Sequence, residues 1–211
     1  MVYHSSKIGH GHDRKLNSLF QAAERIGKPE WRSMLLMAAD LHTRSINPAR
    51  SPFPYEWESM GPGYLSGPTF GHWDIVHNIL DTMSFEPDHS KKQIVNNLAA
   101  QQADGLVPGS IYLHDDGSCQ YSKTRGHPPL WEYAVQKHVE ETGETGLIEY
   151  CFEPLCRQIQ WFEQNRKAEH EGYFYLDILQ RSWESGVDEG VRFDEVQTGP
   201  FACIDATSHV Y

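Results

Sequence analysis

Basic residues are in short supply in this sequence. Eighteen Lys and Arg stand against 29 Asp and Glu in 211 residues, a formal net charge of -11. The cations are also scattered, whereas neutralising a phosphate backbone needs them clustered, which argues against nucleic acid as a partner. Long apolar runs are missing too. No stretch approaches the roughly 18 residues of a membrane span, and the opening MVYHSSKIGHGHDRKL has no signal-peptide core. The expectation is a soluble, cytoplasmic chain that does not engage a membrane. The four cysteines, Cys119, Cys151, Cys156 and Cys203, form no CxxC pair, so free thiols are expected and zinc ribbons are not. No G-x-x-x-x-G-K-[ST] or G-x-G-x-x-G loop occurs, which disfavours kinases and dinucleotide enzymes. His10 and His12 lack a third ligand, and HDDGS at His114–Ser118 lacks the alternating oxygens and closing Glu of a calcium loop. Neither a metal nor a cofactor is expected.

What is present suits a folded domain. Hydrophobic residues make up 39% and aromatics 12% of the chain, enough to bury a core in one domain or at most two small ones. Residues 1–12 read as a flexible amino terminus. Asp13 is a plausible N-cap for a first helix that carries Leu16, Leu19, Phe20, Ala23 and Ile26 before Gly27 stops it. Pro29 opens a second apolar periodicity running toward Ile46. NPARSPFPYEWESMGPGYLSGPTFGH, rich in Pro, Gly and aromatics, is expected to be a long loop at a binding face. Further helices are expected from Trp73 to Met83, from Pro87 toward Asp104-Gly105, from Pro128-Pro129 to Thr142-Gly143, and from about Gly146 to Ala168, the last kinked or split at Pro154. The closing ACIDATSHVY reads as the start of another helix. Strand-like alternation is confined to IYLH and GYFYL. The class is therefore mainly α, a stack of αα-hairpins with long loops gathered at one end.

Four of the six tryptophans precede a carboxylate: Trp57-Glu58, Trp73-Asp74, Trp131-Glu132 and Trp183-Glu184, where random placement gives about one. Sugar sites use this mixture, with a ring against the C–H face of a pyranose and carboxylates accepting hydroxyl protons. The competing reading is that the rings pack the core and the acids sit at helix N-termini. The densest acidic run, RSWESGVDEGVRFD from Arg181 to Asp194, interleaves Glu184, Asp188, Glu189 and Asp194 with Gly and Trp. Crowded like charges keep one carboxyl protonated, as a general acid requires, although a solvated acidic loop has the same composition. An inverting glycosidase pairs such an acid with a second carboxylate roughly 6.5–9.5 Å away.

Three segments in order, GHWDIVHNIL at Gly71–Leu80, GHPPLWEYAV at Gly126–Val135 and WESGVD at Trp183–Asp188, resemble the trehalase-like and family 63 glycoside hydrolases, especially their mannosylglycerate and glucosylglycerate hydrolase relatives. The resemblance runs from about residue 13 to the end. It implies an (α/α)6 toroid over 13–211, incomplete at its carboxyl end and supplying the first half to two-thirds of the helices, that cleaves an α-glucosidic or related linkage with inversion. It places the general acid on Asp188 and the sugar subsite on Trp73 and Asp74. Trp183, Glu184 and Gly186 complete the acid motif with Arg181 beside it, and His127 opens the loop bordering the pocket. Tyr64 and Trp57 join them as amphipathic rings on the long loop. The family's general base, a Glu, is expected beyond these residues. The substrate is then a small carbohydrate or glycoside, and a partial toroid is expected to self-associate through uncovered apolar helix faces. Two other readings stay open: a non-catalytic carbohydrate-binding helical scaffold, and a sugar epimerase or isomerase on a related toroid. The latter requires His72, His77 and His127 to converge on one pocket.

Overall fold

A computed structural model describes residues 15–61, 67–178, 183–187 and 201–211. Among them the protein is mainly helical. Helix α1, Asn17–Arg25, begins later than Asp13, which lies outside the described residues. Its free N–H groups are met from a distance, because the Glu86 carboxylate accepts from Ser18 N at 2.6 Å and Leu19 N at 3.3 Å. A carboxylate there also suits the positive end of the helix dipole. Gly27, at φ 80°, reverses the chain. A 3-10 turn at Pro29–Trp31 then leads into α2, Arg32–Ser45, which folds back on α1.

The long loop that follows is not free of secondary structure. Strands β1 (Ile46–Asn47) and β2 (Trp57–Glu58) pair antiparallel, and β3 (Thr69–Gly71) joins β4 (Ser110–Leu113) and β5 (Cys119–Tyr121) in a three-stranded antiparallel sheet. Strands of two to four residues are too short for alternation to reveal. The IYLH segment supplies most of β4, while GYFYL forms only an isolated bridge from Tyr173 to Lys167.

Helix α3, His72–Thr82, and α4, Pro87–Ala99, form the second hairpin. Helix α5, Trp131–Thr142, starts after the two prolines rather than at them, with Leu130 as its cap, because a proline disfavours helical geometry in the residue before it. Gly143, left-handed at φ 75°, ends α5 as expected. Helix α6, Gly146–Asn165, runs unbroken through Pro154, and the last helix, α7, spans Ile204–Val210 where a helix start was read.

Two clusters hold these elements together. Phe53, Trp57, Phe70, Ile79, Ile94 and Trp131 centre the larger, in which the Phe53 ring lies 4.5 Å from Phe70 and 5.2 Å from Trp57. Leu106, Trp161, Phe162, Tyr175 and Ala206 centre the smaller, which attaches α7 to α6. Gly105 lies close against the backbone of α6. At φ 101°, a Cβ there would stand 2.1 Å from the Arg157 carbonyl oxygen. Gly105→Ala combines a strained φ with a backbone clash and is expected to cost about 2–4 kcal/mol, read as a fall of roughly 4–16 °C in melting temperature.

A buried polar cluster ties α2, β2, α3 and α4 together. The fully buried Glu58 carboxylate accepts from His42 Nδ1 at 3.0 Å, His89 Nε2 at 2.5 Å and Asn78 Nδ2 at 2.8 Å. Burial opposes charge on His42, but its bonds to Asp81 and Glu58 prevail and raise the imidazole to about 9. Burial likewise opposes charge on Glu58, and the two histidines override it to hold the carboxyl below its ordinary value. A raised imidazole stabilises the fold fully below its unfolded value near 6.5 and loses that contribution as pH climbs through about 9. A depressed carboxyl contributes above its unfolded value of 4.5 and loses that contribution in acid. Stability is therefore expected to decline between pH 6.5 and 9 by on the order of 1–3 kcal/mol. In thermal melts across that range, His42→Gln should flatten the decline, and an unchanged slope would remove His42 as its source.

Candidate functional site

The site is assembled around the first turn of α3. Gly71 lets the chain enter it tightly, since a Cβ there would lie 2.2 Å from Asp74 Oδ2 and 2.6 Å from Met60 Sδ. His72 N donates to Gly109 O at 2.7 Å, and Trp73 N donates to His127 Nδ1 at 3.4 Å. The segments carrying Gly109 and His127 run so close together that a Cβ on Gly109 would reach the Gly126 oxygen at 2.5 Å. The first two sequence motifs thus meet through backbone contacts that only glycine permits.

The third motif closes on the same indole. Gly186, at φ 72°, places its α-carbon so that a Cβ would touch the Trp73 ring at 3.5 Å. His77 and His209 approach the ring edge-on, with centroids 5.5 and 5.8 Å away, and the Tyr175 hydroxyl, 2.7 Å from His209 Nδ1, secures the latter. Trp73 itself is half-buried, as is Asp74. Burial pulls His127 down to about 4. The ring is therefore neutral at neutral pH, and because Nδ1 accepts from Trp73, its proton belongs on Nε2.

Glu184 fixes the acid-motif turn. Its carboxylate, wholly buried, receives a two-pronged bond from Arg166, Nε and Nη2 each at 2.8 Å, together with Gly126 N at 3.2 Å and Leu176 N at 2.6 Å. Arg166 in turn stacks over Trp161 at 4.6 Å and donates to the Thr124 carbonyl at 2.5 Å. Asp177 accepts from Glu184 N at 3.1 Å and Ser185 N at 2.8 Å, and Ser185 Oγ accepts from Val187 N at 3.1 Å. The turn is thus held from both sides up to the residue before position 188.

The sequence-derived site residues sort clearly. Trp73, Asp74, His127 and Gly186 are brought together. Glu184 belongs to the same region, but its oxygens are sealed inside the Arg166 pair, so it positions the turn and does not face a sugar. Trp57 is only 1% exposed; its ring packs on Phe53, and its Nε1 donates to Pro48 O at 3.0 Å, so it belongs to the core and not to a sugar platform. Trp183 is 62% exposed. Asp188, Arg181 and Tyr64 lie outside the described residues. His72 is fully buried and turned onto Asn97 Oδ1 at 2.7 Å. It therefore does not join His77 and His127 on an open pocket, which removes the geometric support for an epimerase. The Trp–acid pairs divide as well: Glu58 and Glu184 neutralise buried cations, while burial raises Glu132, in a groove between α5 and α6, to about 7.

Sequence reasoning missed Arg166, Asp177, Tyr175 and His209. Each lies outside the three motifs, and no local spacing connects it to them. Among the described residues, all four cysteines are free, no group of three His, Cys, Asp or Glu could hold a metal, and no helix is long and apolar enough to cross a membrane.

Residues 68–202, which contain all three motifs, match the family described as "Mannosylglycerate hydrolase MGH1-like glycoside hydrolase domain". The chain belongs to this family. The match is to these glycoside hydrolases and not specifically to family 63 or the trehalases. A mannosylglycerate hydrolase from Rubrobacter radiotolerans is 23% identical over 177 residues, covering 74% of this chain and 40% of that relative. The chain thus corresponds to well under half of that enzyme's length.

Proposed function

We propose that the protein acts as an inverting glycosidase on an α-glycosidic linkage of a small glycoside, with Asp188 protonating the leaving oxygen and Trp73 and Asp74 forming the sugar subsite. One observation carries this reading: the acid-motif turn packs Gly186 onto the Trp73 indole. On this reading the ring against which a pyranose would rest is held by the same motif that carries the acid. The neutral imidazole of His127 offers a donor at Nε2 for a sugar hydroxyl, and His77 and His209 hold the ring from its edges. The family match adds the reaction class, and the similarity to a mannosylglycerate hydrolase makes that compound the first substrate to try. In this proposal residues 13–211 belong to an (α/α)6 toroidal catalytic domain, with the α-hairpins as its repeating unit.

The test is a substrate panel of mannosylglycerate, glucosylglycerate, trehalose and a nitrophenyl α-glucoside, with released sugar quantified. Release from at least one α-glycoside is expected. Binding without release from any of them would replace the hydrolase with a carbohydrate-binding scaffold.

A further inference from the structure

A second polar and aromatic cleft lies at the other end of the helical layer. Helices α3 and α4 are joined by a four-residue turn, so the start of α4 lies at the end of α3 remote from Trp73, about 16 Å away along an 11-residue helix. There, Lys91 from α4, the turn between α5 and α6, and two tyrosines enclose a cleft of about 770 Å³, within the range of small-ligand sites. Tyr55 is 43% and Tyr150 52% exposed, both large rings turned to solvent. Tyr55 is rigidly mounted, since its backbone N–H donates to Asn96 Oδ1 at 3.2 Å and the fully buried Asn96 amide donates back to the carbonyls of Tyr55 and Glu56.

The polar end of the cleft is unusually well furnished. Lys91 Nζ lies 2.6 Å from Glu144 Oε2. Behind that carboxylate sits His138, whose side chain is fully buried and whose two ring nitrogens have no hydrogen-bond partner among the described residues. Its Nε2 is 3.9 Å from Glu144, too far to bond. An ammonium and a carboxylate at one end, with aromatic faces along the wall, match the alternating hydroxyls and C–H faces of a sugar chain, while the buried His138 lies behind them and does not line the cleft. The ion pair is internally neutral, which favours an uncharged ligand.

We propose that the cleft of Tyr55, Lys91, Glu144 and Tyr150 is a second carbohydrate site, holding a neutral oligosaccharide away from Trp73. The choice of sugar as ligand class rests on the glycosidase reading, but the test separates the two. Maltoheptaose is titrated calorimetrically into the full chain carrying Trp73→Ala, and into the same background with Tyr55→Ala and Tyr150→Ala added. The first should retain binding, and the second should lose at least tenfold in affinity with an unchanged circular dichroism spectrum. Lys91→Gln in the Trp73→Ala background, which spares both rings, should weaken binding at least threefold. No binding by the Trp73→Ala protein, or equal affinity in all variants, overturns the proposal. Turnover of mannosylglycerate by the Tyr55→Ala, Tyr150→Ala protein should equal that of wild type. Failure of the hydrolase reading shows instead as no turnover in wild type, whatever the titrations give.

Discussion

Asp188→Asn is expected to reduce hydrolysis by about 10²–10⁴-fold, the usual worth of a positioned proton donor, while the dissociation constant for the substrate changes by less than threefold. The separation follows from the proposed roles. In the proposed mechanism sugar contacts fall to the Trp73 wall, which the substitution leaves in place, whereas the proton that lets the bridging oxygen depart comes from the Asp188 carboxyl alone. Asparagine preserves the shape of the side chain and cannot deliver that proton. The effect should therefore fall on kcat, and it should shrink for glycosides whose leaving group departs without protonation, such as a nitrophenolate. Near-normal turnover of mannosylglycerate by the variant would take the acid away from Asp188. A large loss of binding would instead make the residue a substrate contact.

Arg166→Met is expected to be strongly destabilising. It takes away the cation that pairs with the wholly buried Glu184 carboxylate among the described residues. Breaking one side of such a pair costs about 3–5 kcal/mol, or roughly 6–20 °C in melting temperature for a chain of this size. Replacing both partners, Arg166→Met with Glu184→Leu, removes the stranded charge and should recover more than half of the loss, because a buried pair contributes little beyond an apolar substitute. The double variant should nonetheless remain catalytically poor, since Glu184 also receives Gly126 N and Leu176 N and so anchors the turn preceding Asp188. Stability restored without activity would confirm that Glu184 positions the acid. A single Arg166→Met variant within 1 kcal/mol of wild type would show that water relieves the carboxylate.

Helices were legible in the chain from apolar periods punctuated by Gly or Pro, although α4 stops at Ala99, short of the expected Asp104-Gly105, and α5 starts after its prolines. Gly27, Gly143 and Pro87 mark ends and starts that the structure keeps, and the helix within ACIDATSHVY is present as Ile204–Val210. The strands were not legible, because two or three residues carry no period and their pairing joins segments as distant as Phe70 and Ile111. Pro154 does not split α6, which is anchored on both sides of it by Cys151, Gln158 and Trp161, all buried, so that packing outweighs the missing hydrogen bond.

The grouping of the candidate residues was legible only in part. Trp73, His127 and Gly186, named from the resemblance of three motifs, are brought close to one another in the structure. Trp–acid adjacency, by contrast, could not distinguish a sugar subsite from a buried ion pair. That depends on Arg166 for Glu184 and on His42 and His89 for Glu58, residues supplied by other elements. Trp57 misled for the same reason, its amphipathic ring being as useful to a core as to a pyranose.

The central claim, an inverting glycosidase built on the Trp73 wall, is tested most directly by proton NMR of the first sugar released from mannosylglycerate or whichever α-glycoside the protein turns over. Inversion predicts that the β-anomer appears first and that the α-anomer grows in only at the rate of mutarotation. Initial release of the α-anomer, or no release from any α-glycoside on the panel, would contradict it.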